Sequence, residues 1–186
     1  MKRRTFLQSA ASVVPLALTH SFAYALDQTT AQPPPADLHV LHAGEDRFGE
    51  ARSRGYSRIS FKTSTAETAG NLFLIEHSGL HSGGPPLHIH NEQEEWFYLI
   101  AGEVLFQVGD RRVTLKPGDS ILGPRGIPHA FAAVGEAPAH MLIAFSPAGS
   151  MEQFFRDTAI PNPPHEDDAF FRRYNMRMVG PPIKAT

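Results

Sequence analysis

Short β-type segments follow one another through the middle of this chain with no helical pattern between them. Turn signals such as Gly109-Asp110-Arg111 and Lys116-Pro117-Gly118-Asp119 separate them. The segments cover residues 56–63, 70–78, 95–101, 103–108, 112–116, 119–123, 129–134 and 139–146. Closely spaced strands without intervening helices indicate an antiparallel sandwich or barrel. The chain is therefore predicted to be an all-β protein.

The sequence divides into four parts. They are a predicted signal peptide (1–25), an N-terminal tether and first strand region (26–55), a barrel (56–148), and a helix followed by a Pro-rich tail (149–186). Met151, Phe154 and Phe155 have helical spacing, which predicts one short helix over 149–158. Residues 159–186 are expected to wrap the surface or to contact another subunit. Alternatively, the apolar residues after 150 cap the cavity as a lid.

The first 25 residues have the pattern of an export signal. Lys2, Arg3 and Arg4 precede a mildly apolar run, and Ala23-Tyr24-Ala25 has the small residues of a cleavage site. The apolar run is too short to span a bilayer. The paired arginines, followed by Thr-Phe-Leu, resemble a twin-arginine signal, and an ordinary secretory signal is the alternative. A periplasmic or secreted protein is therefore expected.

Composition excludes several kinds of site. The 186 residues include no cysteine, which rules out disulfides, thiolate zinc sites and cysteine nucleophiles. The formal net charge of −2 predicts no general attraction to nucleic acid. The chain contains 10 histidines, several of them close together. This clustering suggests a metal site built from nitrogen and oxygen ligands.

Two histidines and a glutamate lie close together in the sequence. Residues two apart on a strand face the same way, so His88 and His90 point together. Glu95 begins an aromatic strand and shares a face with Phe97. If that face is interior, the buried carboxylate needs a cation or hydrogen-bond partners. Glu94 is the competing candidate for the carboxylate ligand.

The spacing of these residues resembles the two motifs of the cupin superfamily. The first motif is matched by His88, His90, Glu95 and Gly102, and the second by Gly118, Pro124, Gly126 and His129. Two positions depart from the pattern: Ser82 stands where the opening glycine is expected, and Ala133 replaces the closing asparagine. The resemblance implies a double-stranded β-helix, or jelly-roll barrel, which agrees with the strand pattern.

The resemblance also implies a metal site. Carried over position by position, the ligands are His88, His90, Glu95 and His129. Such a site binds one divalent transition metal, which is iron, manganese, nickel, cobalt, copper or zinc, and leaves one or two positions for water or substrate. A cupin that kept its histidines but binds no functional metal is the alternative.

The barrel interior beside the metal is the expected substrate pocket. Phe97 shares a face with Glu95, and Phe131 shares a face with His129, so both are predicted to line the pocket. Weaker candidates of uncertain orientation are Phe73, Met141, Ile75 and Ile143. The sequence shows no buried arginine or lysine cluster for a phosphate or polycarboxylate. An apolar or aromatic small molecule is therefore the expected ligand.

The sequence around the motifs is similar to that of quercetin-dioxygenase-like cupins. The likeness rests on His-Ile-His, the Glu-Trp-Phe-Tyr strand, Gly-Pro-Arg-Gly-Ile-Pro-His and Phe-Ser-Pro-Ala-Gly. It implies a metal-dependent dioxygenase that uses O2 on an aromatic or enolic, flavonol-like compound, with Glu95 as ligand and base.

Two other functions remain open. One is a non-oxidative isomerase, decarboxylase or lyase, and the other is a periplasmic binding or metal-storage module without turnover. By analogy with paired cupin barrels, a homodimer is expected.

Overall fold

The computed structural model describes residues 39–184, so the predicted signal peptide lies outside the described residues. Its strands are β1 (Arg52–Ser53), β2 (Arg58–Thr63), β3 (Phe73–Leu80), β4 (Pro86–His90), β5 (Glu94–Ala101), β6 (Glu103–Val108), β7 (Arg111–Leu115), β8 (Ser120–Gly123), β9 (His129–Val134), β10 (Ala139–Ser146) and β11 (Met176–Pro182). Its helices are α1 (Met151–Thr158) and α2 (Asp168–Arg172). In this part of the chain no helix has both the length and the apolar character needed to cross a membrane.

The strands form two antiparallel sheets. One sheet has six strands in the order β1-β2-β3-β10-β5-β8, and the other has five in the order β11-β4-β9-β6-β7. Non-consecutive strands lie side by side in both sheets, as in a jelly roll. The predicted all-β jelly-roll fold with a short C-terminal helix is confirmed.

Alternating burial explains why the strands pack as a double layer. Along β5, Glu95, Phe97 and Leu99 are buried while Trp96 and Tyr98 between them are exposed. The same two-residue period runs along β10. Each strand therefore turns one apolar row towards the opposite sheet, and the two rows form a shared core.

Gly102 makes the turn between β5 and β6. Its φ is +76°, and a Cβ atom built on it would lie 2.6 Å from the Cα atom of Ala139. A side chain here would meet both an unfavourable backbone conformation and a backbone clash. The motif glycine is thus required by the tight approach of β10.

The C-terminal part differs most from the prediction. The short helix is present as α1, and the segment described in sequence only as a Pro-rich tail contains two further elements, α2 and β11. Strand β11 pairs with β4, with Met176 opposite His90 and Met178 opposite His88. Gly180, Pro181 and Pro182 weaken the strand signal in the sequence. Prolines are tolerated because β11 is the edge strand of its sheet.

Candidate metal centre and its cavity

Four predicted ligands from both sheets meet at one point. His88 and His90 lie on β4 and His129 lies on the adjacent β9, where its backbone is opposite that of His88. Glu95 comes from β5 of the other sheet. The four residues are 6%, 0%, 1% and 4% exposed in the order named, so the whole group is buried. Packing of the two sheets is what brings the carboxylate to the imidazoles.

The facing atoms are spaced as ligands of one ion. One atom from each of the four side chains lies within 4.8 Å of the others. Glu95 Oε2 lies 2.8 Å from His129 Nε2, 3.1 Å from His90 Nε2 and 3.9 Å from His88 Nε2. His88 Nε2 and His90 Nε2 are 3.2 Å apart. Two ligand atoms about 2.1 Å from one ion and near a right angle are themselves about 3 Å apart.

Backbone carbonyls orient two of the imidazoles. His88 Nδ1 lies 2.8 Å from the carbonyl oxygen of Pro86, and His129 Nδ1 lies 3.0 Å from that of Ile127. A carbonyl oxygen can only accept, so in both rings Nδ1 carries a proton and the neutral ring has its lone pair on Nε2. This is the arrangement by which outer hydrogen bonds orient metal-binding histidines.

The charges also suit a cation. Burial alone would raise the pKa of Glu95, but hydrogen bonds from His129 and His90 outweigh it and hold that pKa well below its ordinary value. Burial, followed by the neighbouring imidazoles, lowers the pKa of His88 well below its ordinary value. The group therefore contains an ionised carboxylate and a neutral His88 imidazole. Burial would lower the pKa of His129, but its hydrogen bond to Glu95 raises that pKa, so without an ion His129 Nε2 carries the proton that a bound metal would replace. These residues fit a divalent transition metal.

The neighbouring candidate Glu94 lies outside the cluster. Its carboxylate accepts hydrogen bonds from the Arg125 backbone N–H at 2.8 Å and from Arg125 Nε at 2.5 Å. The pKa of Glu94 is lowered by this arginine. The choice between the two glutamates is thus a matter of strand face: Glu95 points inward and Glu94 pairs at the surface.

Gly123 leaves space for one ligand. It lies opposite Glu95 on β8, and a Cβ atom there would be 3.1 Å from the His129 ring. That separation is too tight for an ordinary contact. The missing side chain therefore lets the His129 ring lie against β8.

A small cavity opens beside the metal cluster and is bordered by His88, His90 and Glu95. Its volume is about 30 Å³, which gives room for about two water molecules. Apolar and aromatic side chains form most of its wall, including Phe131 and Ile143.

Phe131 and Ile143 line this cavity, and the other four of the six predicted pocket residues, Phe97, Phe73, Met141 and Ile75, do not. Phe97, Phe73 and Met141 are fully buried in the core. Phe97 packs edge-on against Phe106 at 4.8 Å between ring centroids, and Phe73 packs in the same way against Phe61 at 4.9 Å. Strand alternation correctly turned Phe97 inward, whereas the sequence leaves the orientations of Phe73 and Met141 uncertain, and both point inward in the structure. Alternation did not specify how far along the barrel the cavity lies. Phe131 is the one predicted aromatic residue that lines it.

The C-terminal part of the chain covers the cavity. Met151, Phe154 and Phe155 come from α1, Phe171 comes from α2, and Met176 comes from β11. All five side chains are buried. The cover therefore corresponds to the alternative in which the tail caps the cavity.

Two polar residues of the cavity wall were missed as a binding pair. The sequence showed no buried arginine or lysine cluster for the pocket, and the structure adds one buried arginine: the Arg54 side chain lines the cavity and is only 7% exposed. His77 lines it too, and burial, followed by the charge of Arg54, lowers the pKa of His77 to about 3. Arg54 belongs to a segment interpreted as a tether, and its partner Glu166 is 112 residues away in sequence. The only sequence signal for His77 was its position near the end of a predicted strand.

Comparison with known proteins agrees with this fold. Residues 79–145 match the Cupin domain family, and that span contains all four cluster residues. The chain is 32% identical over 66 residues to an uncharacterized protein of Methanocaldococcus jannaschii, covering 36% of this chain and 53% of the relative. It thus spans about half the length of that curated relative.

Two solved structures share the architecture. One is a predicted oxalate decarboxylase from Thermotoga maritima, with 20% identity, a TM-score of 0.52, and coverage of 59% of this chain and 98% of the other. The second is an RmlC-like cupin from Shewanella frigidimarina, with 19% identity, a TM-score of 0.51, and coverage of 63% and 96%. At these identities they show a shared fold, in agreement with the Cupin domain match over residues 79–145.

Proposed function

We propose that this protein is a mononuclear metal-dependent dioxygenase that acts on a small enolic compound. The observation that carries the proposal is the position of the cavity, which is bordered by three of the four candidate ligands. An ion held by these residues would face the cavity with its remaining coordination positions. A structural metal site, by contrast, is closed by its protein ligands.

The residues of the chain suit proton removal from such a compound. A divalent transition metal supplies Lewis acidity and redox chemistry at this site. Glu95 borders the cavity, so its carboxylate is placed to accept a hydrogen bond from a bound enol. Because the pKa of Glu95 is lowered, it would act as a base only towards an enol whose own acidity is raised in the site. Phe131, Phe155 and Phe171 keep bulk water from the reacting group.

Cavity size favours a small substrate. A volume of about 30 Å³ holds about two waters, whereas pockets for drug-sized ligands run to several hundred Å³. Any substrate of more than a few atoms therefore requires the C-terminal cover to shift, and a flavonol would require a far larger movement than a small enolisable compound. We therefore place the substrate among small enolisable compounds and not among flavonols.

The first test is metal content with O2 uptake. The full-length protein, its His129→Ala variant and the control His81→Ala are expressed and assayed by elemental analysis. His81 is exposed and lies outside the cluster, so its variant keeps the metal, while His129→Ala loses it. We expect about one iron, manganese, nickel, cobalt or copper ion per wild-type chain and O2 consumption with small 1,3-diketones or keto acids. A folded wild-type protein without any metal would refute the proposal.

A non-oxidative decarboxylase or isomerase is the second candidate. Arg54 favours it, because an arginine in the cavity suits a carboxylate substrate. The T. maritima structure named as a predicted oxalate decarboxylase shares the fold. Product formation without O2 uptake would identify this chemistry. A binding or metal-storage module would instead retain metal and give no product under any atmosphere.

Export and dimerisation complete the proposal. The signal pattern supports twin-arginine export, and replacing Arg3 and Arg4 by lysine should leave the protein in the cytoplasm on cell fractionation.

A homodimer is the proposed assembly, by analogy with paired cupin barrels. Sedimentation of the purified protein tests it, and a monomer at micromolar concentration would contradict it.

A further inference from the structure

Arg54 carries a free hydrogen-bond donor at the cavity. Its Nη2 donates to both carboxylate oxygens of Glu166, at 2.9 and 2.8 Å, and its Nε donates to the Tyr56 hydroxyl at 3.3 Å. Its Nη1 is buried and has no hydrogen-bond partner among residues 39–184. A guanidinium donor that is buried without a partner is costly, so an acceptor is expected to reach it.

His77, a second residue of the cavity wall, also has a polar atom without a partner among residues 39–184. His77 Nδ1 lies 2.9 Å from Ser57 Oγ, while His77 Nε2 is buried without a partner in the described part of the chain. His77 is only 1% exposed. Two residues of the cavity wall outside the metal cluster therefore have a polar atom that is unpartnered within these residues, although the rest of the lining is largely apolar. A ligand with an oxygen atom at each end would bind Arg54 and His77 at one end and the four-residue metal cluster at the other.

The surroundings hold Arg54 in place. Its guanidinium carbon lies 5.2 Å from the centre of the Phe154 ring, and its Nη2 is hydrogen-bonded to Glu166. A guanidinium that is oriented before binding loses less side-chain entropy when a ligand arrives. Its Nη1 can thus add one charge-assisted hydrogen bond without rearrangement of the arginine.

Charge balance indicates the class of ligand. Arg54 and Glu166 neutralise each other, and a divalent ion beside Glu95 keeps one positive charge. A buried net charge is unfavourable unless it is paired. One negative charge on the ligand would therefore balance the site, whereas a neutral ligand would leave it positive.

From these contacts we propose that Arg54 binds the carboxylate of a small monoanionic keto acid, whose keto or enol oxygen lies towards the four-residue metal cluster. The inference rests on the proposed function, because the cluster must hold an ion for the second end of the substrate. His77 contributes a further hydrogen bond to the same molecule. The remaining wall, formed by Phe131, Phe155 and Phe171, contacts its carbon atoms.

The test compares two probes of the same shape. Pyruvate and its neutral amide, pyruvamide, are titrated by calorimetry into zinc-loaded full-length protein at fixed ionic strength. We expect the wild type to prefer pyruvate by at least about 10-fold, as a hydrogen bond to a charged group would give. In Arg54→Gln this preference should fall to about one. Elemental analysis should find the same metal content in both proteins, because Arg54 is outside the cluster.

Glu166→Gln is the matched control. It removes the same ion pair but keeps the guanidinium, so the preference for pyruvate should be retained or increased. If Arg54 only anchors Glu166, both variants will lower the stability against urea and neither will change the ratio of the two affinities. That result would overturn the inference, and so would a wild type that binds neither probe.

Folding failure and metal failure remain distinguishable. If Arg54→Gln does not fold, Arg54→Lys is tested in its place. A single ammonium group cannot bind Glu166 and pyruvate together as the planar guanidinium can, so the preference for pyruvate over pyruvamide should drop by several-fold. An unchanged ratio in that variant refutes the inference. If the wild type binds no metal, the proposed function fails by itself. The same titrations of the metal-free protein then decide whether Arg54 binds carboxylate.

Discussion

Phe154→Ala removes the aromatic side chain at the centre of the C-terminal cover. Phe154 is 5% exposed and lies edge-on to Phe155 at 5.3 Å, to Phe171 at 5.7 Å and to Tyr174 at 5.3 Å between ring centroids. Loss of a buried phenylalanine costs about 3–5 kcal/mol of unfolding free energy. Lost contact with the Arg54 guanidinium places the expected value in the upper part of that range.

Two measurements check this prediction. For a domain of this size, about 2–4 °C of melting temperature is lost per kcal/mol, so the midpoint should fall by about 10 °C or more. Loosening of the cover should also speed removal of the bound metal by EDTA, because the cavity is the route to the ion. The first is measured by thermal unfolding of metal-free protein, and the second by stopped-flow chelation of loaded protein.

Phe48→Ala serves as the control for the cover. Phe48 is 44% exposed, lies edge-on to Phe61 at 6.3 Å, and stacks at its surface on the Arg156 guanidinium at 4.4 Å. Its loss should cost about 1 kcal/mol or less and leave the chelation rate unchanged. If the two variants are equally stable, the energetic argument for the cover is wrong. If Phe154→Ala unfolds earlier but releases metal at the wild-type rate, the cover does not control access to the site.

Three further predictions concern the metal cluster. Gly123→Ala should weaken metal binding by at least about 10-fold in a calorimetric titration, because the added Cβ would displace the His129 ring. Gly180→Ala is the control: its Cβ would make only ordinary contacts, so the affinity for metal should not change. Glu95→Gln should abolish retention of metal through gel filtration, while Glu94→Gln keeps the wild-type content; equal retention would refute the choice of ligand. In metal-free protein, folding lowers the pKa of Glu95 from its ordinary 4.5. The ionised carboxylate therefore stabilises the folded state above pH 4.5, and this contribution to the free energy of unfolding is lost as the pH falls below 4.5. The free energy of unfolding in urea is measured at pH 6 and at pH 3. Its decrease between these two pH values should be smaller for Glu95→Gln than for the wild type.

The amino-acid sequence by itself determined the fold class and the residues of the metal cluster. Alternation of apolar and polar residues is a local property of a strand, so it predicted the inward face of β5. The two-residue spacing of His88 and His90 put both rings on one side of β4 for the same reason. The choice of Glu95 over Glu94 also followed from strand face.

Tertiary structure alone decided how deep each side chain lies and what closes the cavity. Phe97 and Phe131 both point inward, yet only Phe131 lines the cavity, because strand alternation does not specify height along the barrel. Arg54 comes from a segment without periodicity, and its role depends on Glu166, which no local pattern relates to it. The pairing of β11 with β4 is another contact between distant parts of the chain. Contacts of this kind depend on how the sheets and the C-terminal segment pack together, and this packing determined the shape and polarity of the binding site.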